Sequence, residues 1–281
     1  MAALPNKVME PLFRANCIAS MKHKLFFVFL SILILTLSLG GIISYRLYAR
    51  VSFTTTSSIP PDHDLWDILL KDFVKDGHVD YQRFLENENL LNDYLTLLQS
   101  HGPSADWRRE DKLAYWINAY NAFTIKIILD HYPVNSIKDI GSKSQIPLVN
   151  STWDIHFIEI GDKELSLNDI EHRILRKEFN EPNIHFAIVC ASESCPILRS
   201  EAYSADNIDK QLDEQATDFI NDKQKNQIAK NQIEISKIFS WFKGDFTKDR
   251  SLIDFLNKYS NTKINQDAKI SYLDYDWSLN K

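Results

Sequence analysis

The sequence predicts an α+β domain, with a small mixed or antiparallel sheet covered by helices, preceded by one N-terminal transmembrane helix. Three observations carry this. Helical and strand patterns mix along residues 62–281 without a regular βαβ beat. The apolar content, 44% of 281 residues with six Trp, eleven Tyr and sixteen Phe, is enough for a well-filled core. And Leu25–Tyr45, "LFFVFLSILILTLSLGGIISY", runs without a charge. A helix of that length, at ~1.5 Å per residue, crosses a hydrocarbon layer of ~30 Å.

The elements follow in order. Residues 1–24 read as a cytoplasmic segment and 25–45 as an uncleaved signal anchor. A cleavable signal peptide is the alternative, but its apolar region is usually only ~7 to 15 residues long and followed by small residues. Four basic residues precede the span, which favours a cytoplasmic N-terminus and a body outside the cytoplasm. Met21, followed by Lys22-His23-Lys24, reads as an alternative translation start that would leave out Cys17. Residues 46–61, rich in Ser, Thr and Pro, read as a tether. One globular domain then fills 62–281.

Within it, "DLWDILLKDFVKDG" predicts a helix with Leu65, Ile68, Leu69 and Phe73 on one stripe and Gly77 as its C-cap. A second helical pattern runs through "LLNDYLTLLQS". The strongest helix spans about Arg109 to His131 and is stopped by Pro133. "WDIHFIEI", residues 153–160, reads as a strand with Gly161-Asp162 as its turn. "SLNDIEHRILRK" reads as a short helix capped by Ser166 and Asp169. "IHFAIVC", Ile184 to Cys190, reads as a central strand, apolar on both faces. Helix "NIDKQLDEQATDFIND", strand "QIEISKIF", helix "SLIDFLNKYS" and strand "KISYLDYDW" complete the chain.

Several function classes are excluded. The seven glycines form neither a nucleotide cradle nor a serine-hydrolase elbow. The net charge is −6, and residues 1–45 hold +3 of it, so the remainder carries −9. A body that acidic is a poor partner for phosphate backbones, and nucleic acid is not expected. The eight His are scattered and no C-x-x-C pair exists, so neither a metal nor another cofactor is expected.

The candidate chemistry lies in three places. Cys190 and Cys195 are two of three cysteines and could close a six-residue loop as a disulfide, or one could be a thiolate nucleophile. In a regular strand His185 and Cys190 point to opposite faces. That leaves Cys195, in the loop before Pro196, as the nucleophile candidate, His185 as its base and Cys190 as the core cysteine. Asn118 and Asn121, three apart on one side of the strongest helix, either tie it to neighbouring backbone or orient an imidazole and donate to an oxyanion. Glu171, His172 and Arg176 lie on a short helix that lacks the second His of H-E-x-x-H and reads as a solvated charged face, with Glu171 and His172 kept as catalytic candidates. Asp274 and Asp276 share one strand face and read as a water-facing edge.

Three segments in this order and spacing, "YWINAYNAFTIKIIL", "SLNDIEHRILR" and "IHFAIVCASESCPILRSEAY", closely resemble the family called domain of unknown function 547. The likeness is strong over Lys112 to Tyr203 and weaker down to "YDWSLN". The family pattern falls on Asn118, Asn121, Glu171, His172, Arg176, His185, Cys190, Cys195 and Pro196, and it implies no activity. The layout is also loosely similar to papain and transglutaminase-like enzymes, although the central helix here has no cysteine. Two functions are therefore carried forward for a membrane-anchored, extracytoplasmic domain. One is thiol-dependent hydrolysis or acyl transfer with Cys195, His185 and Asn118. The other is a non-catalytic cell-envelope binding module with a structural disulfide. A thiol redox role for the cysteine pair is a third.

Overall fold

The computed structural model describes residue 53 and the segments 57–141 and 151–281. The anchor at 25–45, the alternative start and Cys17 lie outside the described residues. No helix among the described residues is long and apolar enough to cross a membrane.

The chain opens with helix α1 (Asp64–Phe73), hairpin β1 (Val74–Lys75)–β2 (His78–Val79), and helices α2 (Tyr81–Glu86), α3 (Glu88–Ser100) and α4 (Arg109–Leu129). The buried stripe of α1 is Trp66, Leu69, Leu70 and Phe73, while Ile68 faces solvent. The expected stripe was turned by one position because Trp66 stacks on Tyr94 of α3 at 5.7 Å. Gly77 does not cap α1. It follows Asp76 in the hairpin turn, where both residues have positive φ, 51° and 84°, as a two-residue hairpin of the primed type requires.

Helix α4 is the axis of the larger core. Almost every residue from Leu113 to Leu129 is buried, as expected for a helix that is apolar all round. Hairpin β3 (Ile158–Ile160)–β4 (Lys163–Leu165) follows, turning at Gly161 with φ 59°. The strand expected over 153–160 is thus shorter, because Thr152–Asp154 forms a 3-10 turn that the Ser151–Asp154 pair caps.

Residues Asp169–Leu175 form a π-helix that runs on into the short helix α5 (Arg176–Glu178). Ser166 and Asp169 cap it reciprocally, as the sequence predicts: the Ser166 N–H donates to Asp169 Oδ2 at 3.0 Å, and the Asp169 N–H donates to Ser166 Oγ at 3.1 Å.

The largest departure is at Ile184–Cys190, which is not a strand. Ile184–Ala187 is a helical turn, α6, and the chain is extended only from Ile188. The physical reason lies just upstream: Pro182, with its fixed φ, starts a helical turn readily. The Glu181 carboxylate accepts the Asn183 N–H at 3.0 Å, and the Phe186 N–H returns to Asn183 O.

Helix α7 (Ile208–Asn221) is followed by β5 (Gln227–Ile228) and β6 (Gln232–Ile235). The turns α8 (Ile238–Trp241) and α9 (Lys243–Phe246), helix α10 (Leu252–Tyr259) and β7 (Lys269–Tyr272) complete the described chain. Strand β6 pairs antiparallel with β5 and parallel with β7. Among the described residues there are three small sheets rather than one, so the class is α+β with helices at its centre. A second, aromatic core lies over β6. Phe186 of α6 reaches into it and meets Phe219, Phe239 and Phe246 at 5.2, 5.8 and 5.6 Å. The turn α6 is therefore a rivet between the two cores, since Ile184 and Ala187 belong to the first.

Candidate active site

Four segments meet around the two cysteines. Helix α4 supplies backbone clamps. The Asn121 amide donates to Ala187 O at 2.9 Å and its Oδ1 accepts the Val189 N–H at 3.0 Å. Asn118 repeats this on Tyr203, donating to its carbonyl at 2.7 Å and accepting its N–H at 3.0 Å. Each buried amide thus behaves like a strand neighbour, holding an extended segment that has no sheet to join. Gln215 of α7 completes the clamp by donating to Phe186 O and Ile197 O, both at 3.0 Å.

The cysteine loop folds back on itself between these clamps. Ala191 has φ 55°, a conformation uncommon for a residue with a side chain. The Cys195 N–H then closes a turn on Ser192 O at 3.0 Å. The C-terminal segment lies across the loop: the Glu193 N–H bonds Ser278 O, the Ser194 N–H bonds Asp276 O, and the Asn280 N–H bonds Ala191 O. Asp276 and Asp274 themselves are exposed.

Both cysteines are free. Their Sγ atoms are hydrogen-bonded at 2.9 Å, and the backbone N–H of Cys190 donates to Cys195 Sγ at 2.9 Å. Cys190 Sγ also meets Ser192 Oγ at 3.1 Å and Tyr275 Oη at 3.2 Å. Burial alone would push the Cys190 thiol up. Hydrogen bonds from Cys195, Ser192 and Tyr275 outweigh it and bring the thiol down to about 7. Cys195 is 4% exposed, and burial, with the neighbouring Cys190, raises its thiol well above the ordinary value.

The imidazoles lie in a second layer. His185 Nε2 donates to Asp245 Oδ2 at 2.7 Å, since a carboxylate can only accept, and this leaves Nδ1 as the unprotonated nitrogen of the neutral ring. Its ring stacks on Phe242 with centroids 3.9 Å apart. Arg176 grips the same Asp245 through Nε at 2.6 Å and a terminal nitrogen at 3.1 Å. Burial opposes ionisation of Asp245, but these two partners hold it well below the usual carboxylate range. The other terminal nitrogen of Arg176 donates to His172 Nδ1 at 3.2 Å, which puts the His172 proton on Nε2. Burial first, then Arg176, lowers His172 to about 4, and burial lowers His185 despite Asp245. Both rings are neutral near pH 7.

Glu171 is 7% exposed, not part of a solvated face. Its Oε1 lies 3.9 Å from His185 Nδ1, and its Oε2 is reached by the Tyr120 hydroxyl at 3.5 Å. Burial, opposed by Arg176 and reinforced by Cys190, raises its carboxyl to about 7. The π-helical winding sets this up, since it carries Glu171 into the core while His172 faces Arg176. Such single-turn π segments are frequent at functional sites.

Glu171, His172, His185, Cys190 and Cys195 line one cleft of about 190 Å³. Its walls are aromatic: Trp153, Trp241, Phe242, Tyr275 and Trp277. Trp241, 48% exposed, stacks on Trp277 at 5.8 Å and packs on Tyr275 at 4.8 Å, forming the rim. Of the residues singled out in the sequence, Glu171, His172, His185, Cys190 and Cys195 line this cleft, and Asn121 holds the backbone beside it. Asn118 does not: both ends of its amide are used by Tyr203. No imidazole among the described residues is hydrogen-bonded to either sulfur, so the expected His185–Cys195 pair is not formed. Strand alternation, which set Cys190 apart from His185, does not apply to a helical turn.

Asp245, Tyr275, Ser192, Gln215 and the tryptophan walls were not anticipated. Asp245 falls between the expected elements, and Tyr275 lies within the expected strand "KISYLDYDW", between the two acids. The one available signal was Arg176, a cation whose partner had to be sought. A wider groove, about 520 Å³, runs past Asp67, Glu201 and Tyr203. It holds no thiol, and its only imidazole, His63, is bonded to Tyr94 Oη at 2.8 Å and lowered by burial to about 4. Among the described residues no group of three or more His, Cys, Asp or Glu could hold a metal ion.

Fold and site together define an α+β domain with a dithiol in an aromatic cleft, backed by a carboxyl and two neutral imidazoles. Residues 104–220 match the model of the family described as "Protein of unknown function, DUF547", the family that the three motifs suggested. No curated protein matches the chain, and no solved structure does. Asp245, Tyr275, Trp241 and Trp277 lie beyond the matched segment.

Proposed function

We propose that this domain is a thiol-dependent hydrolase or acyl transferase whose nucleophile is Cys190. The observation that carries the reading is the approach of the Ser192 and Tyr275 hydroxyls to Cys190 Sγ, at the wall of a cleft that also holds the Glu171 carboxyl. We assign the nucleophile to Cys190 rather than Cys195 because its sulfur is the less buried of the two and meets the Ser192 and Tyr275 hydroxyls, whereas Cys195 is buried.

In this reading Cys190 Sγ attacks a carbonyl carbon and forms a thioester as the bond to the leaving group breaks. Glu171, raised to about 7, gives its proton to that group and, as carboxylate, later takes one from the incoming water, alcohol or amine. His172, with its proton on Nε2, is a neutral donor for the developing oxyanion. His185 is a positioning residue, fixed by Asp245 and Phe242. The aromatic walls suit an apolar or aromatic acyl group. The uncharged run Leu25–Tyr45 supports a single-span anchor with the domain outside the cytoplasm. Protease protection of the domain in sealed right-side-out vesicles would overturn that orientation.

The test is alkylation of reduced, full-length protein by iodoacetamide across pH, read by peptide mass spectrometry, alongside acylation by an aromatic activated ester. Cys190 is expected to alkylate with a midpoint near about 7 and Cys195 to lag. Cys190→Ser should lose the acyl adduct. Faster alkylation of Cys195, or an ester adduct that survives Cys190→Ser, removes the reading.

A further inference from the structure

We propose that Cys190 and Cys195 also work together as a thiol–disulfide exchange pair, Cys190 attacking a disulfide and Cys195 resolving the mixed disulfide that results. The inference shares with acyl transfer only the identity of the nucleophile.

Its basis is geometry that a lone nucleophile does not need. Five residues apart in sequence, the two Sγ atoms lie 2.9 Å from one another. That approach is built by the positive φ of Ala191, the Cys195-to-Ser192 turn and three backbone bonds from the C-terminal segment to residues 191–194. The two thiols are also unequal in the useful sense: both line the cleft, but Cys190 is half-buried and Cys195 is buried. The attacking sulfur is stabilised as thiolate, while the resolving sulfur stays protonated until it is needed.

The balance closes without any further reagent. Cys190 thiolate attacks one sulfur of a disulfide R–S–S–R, whose S–S bond breaks and releases RS⁻, which takes a proton from water. Cys195 Sγ then attacks Cys190 Sγ, and its proton goes to the second departing RS⁻. Two protein thiols are oxidised to a disulfide, and one external disulfide is reduced to two thiols. The aromatic rim of Trp241 and Trp277 would favour a disulfide carried on an apolar segment.

The experiment mixes reduced full-length protein with oxidised glutathione and follows intact mass. Wild type is expected to lose two hydrogens and to release two glutathione molecules, with no lasting adduct. Cys195→Ser, with Cys195→Ala as a second variant whose unfolding midpoint is checked, should stop with one glutathionyl group on Cys190. Cys190→Ser should react about fivefold more slowly or worse near neutral pH, because the more exposed thiol is removed and only the buried one is left to attack. Wild type that halts at the mixed disulfide, or Cys190→Ser that keeps the wild-type rate, overturns the inference. Acylation of Cys195→Ser by the aromatic ester separates the two readings. An ester adduct on Cys195→Ser together with wild type that halts at the mixed disulfide sinks the exchange pair alone, and complete exchange by wild type without an ester adduct on Cys195→Ser sinks acyl transfer alone.

Discussion

Replacing Glu171 by Gln keeps the side-chain shape and removes the titration. In the native protein burial raises this carboxyl from 4.5 to about 7, with Cys190 adding to the shift and Arg176 opposing it. Since the folded value lies above the unfolded one, the protonated carboxyl favours the native state below about pH 4.5, and that contribution is lost as pH rises to about 7. At ~1.4 kcal/mol per unit, the wild type should lose about 3 kcal/mol relative to Glu171→Gln across this window. Cys190 and His172 titrate in both proteins, so their direct effects cancel to first order in the difference. Urea unfolding at a series of pH values, fitted for both proteins, reads it directly. The curves should converge near about pH 4.5 and separate with Glu171→Gln the more stable above about pH 7. Parallel curves would mean that Glu171 is solvated or permanently paired, and the argument for it as the proton carrier would fall with its buried titration. A second readout is chemical: without a carboxylate nearby, the Cys190 alkylation midpoint should move down, because groups that raise one another do so reciprocally.

Tyr275→Phe removes the hydroxyl 3.2 Å from Cys190 Sγ, so the alkylation midpoint should rise by roughly one unit, the effect of one hydrogen bond to a charged group at about 1.5 kcal/mol; an unmoved midpoint refutes the role of Tyr275. Asn121→Ala and Asn118→Ala each orphan a buried N–H and a buried C=O and should each cost about 2 to 4 kcal/mol in denaturant unfolding. Only Asn121→Ala, which frees residues 187–189, should also alter the pH profile of Cys190 alkylation. Gly77→Ala should destabilise by more than the ~1 kcal/mol of backbone strain alone, because φ is +84° and the new Cβ would overlap Ile197; a thermal midpoint equal to wild type refutes this.

Where one element carries its own signal, the sequence was readable. Helix α4 declared itself by apolar residues on every side and by Pro133. The Ser166–Asp169 pair marked a helix start that the structure caps in the same way. What misled was composition without local geometry. Ile184–Cys190 has the residues of a central strand, yet Pro182 and the Glu181 carboxylate start a helical turn there, and the extended residues after it bond to an asparagine of α4 instead of to a strand. The misread turn also removes face alternation, the ground on which the sequence set the two cysteines apart.

The chemistry-bearing side chains of the matched segment also do not make a site by themselves. Glu171, His172, His185 and both cysteines lie within residues 104–220. The groups that set their protonation come from later in the chain: Asp245 fixes the His185 tautomer, and Tyr275 and the 276–280 backbone fix the sulfurs and their loop. Side chains from such distances cannot be paired by spacing in a sequence, since no period links Arg176 to Asp245 or Cys190 to Tyr275. They meet because Phe186 is driven into the aromatic core formed by Phe219, Phe239 and Phe246, and burying a Phe side chain is worth about 2 to 3 kcal/mol. That packing draws α6 against α9 and brings His185 to Asp245. Hydrophobic burial thus assembles the polar network that surrounds the two thiols.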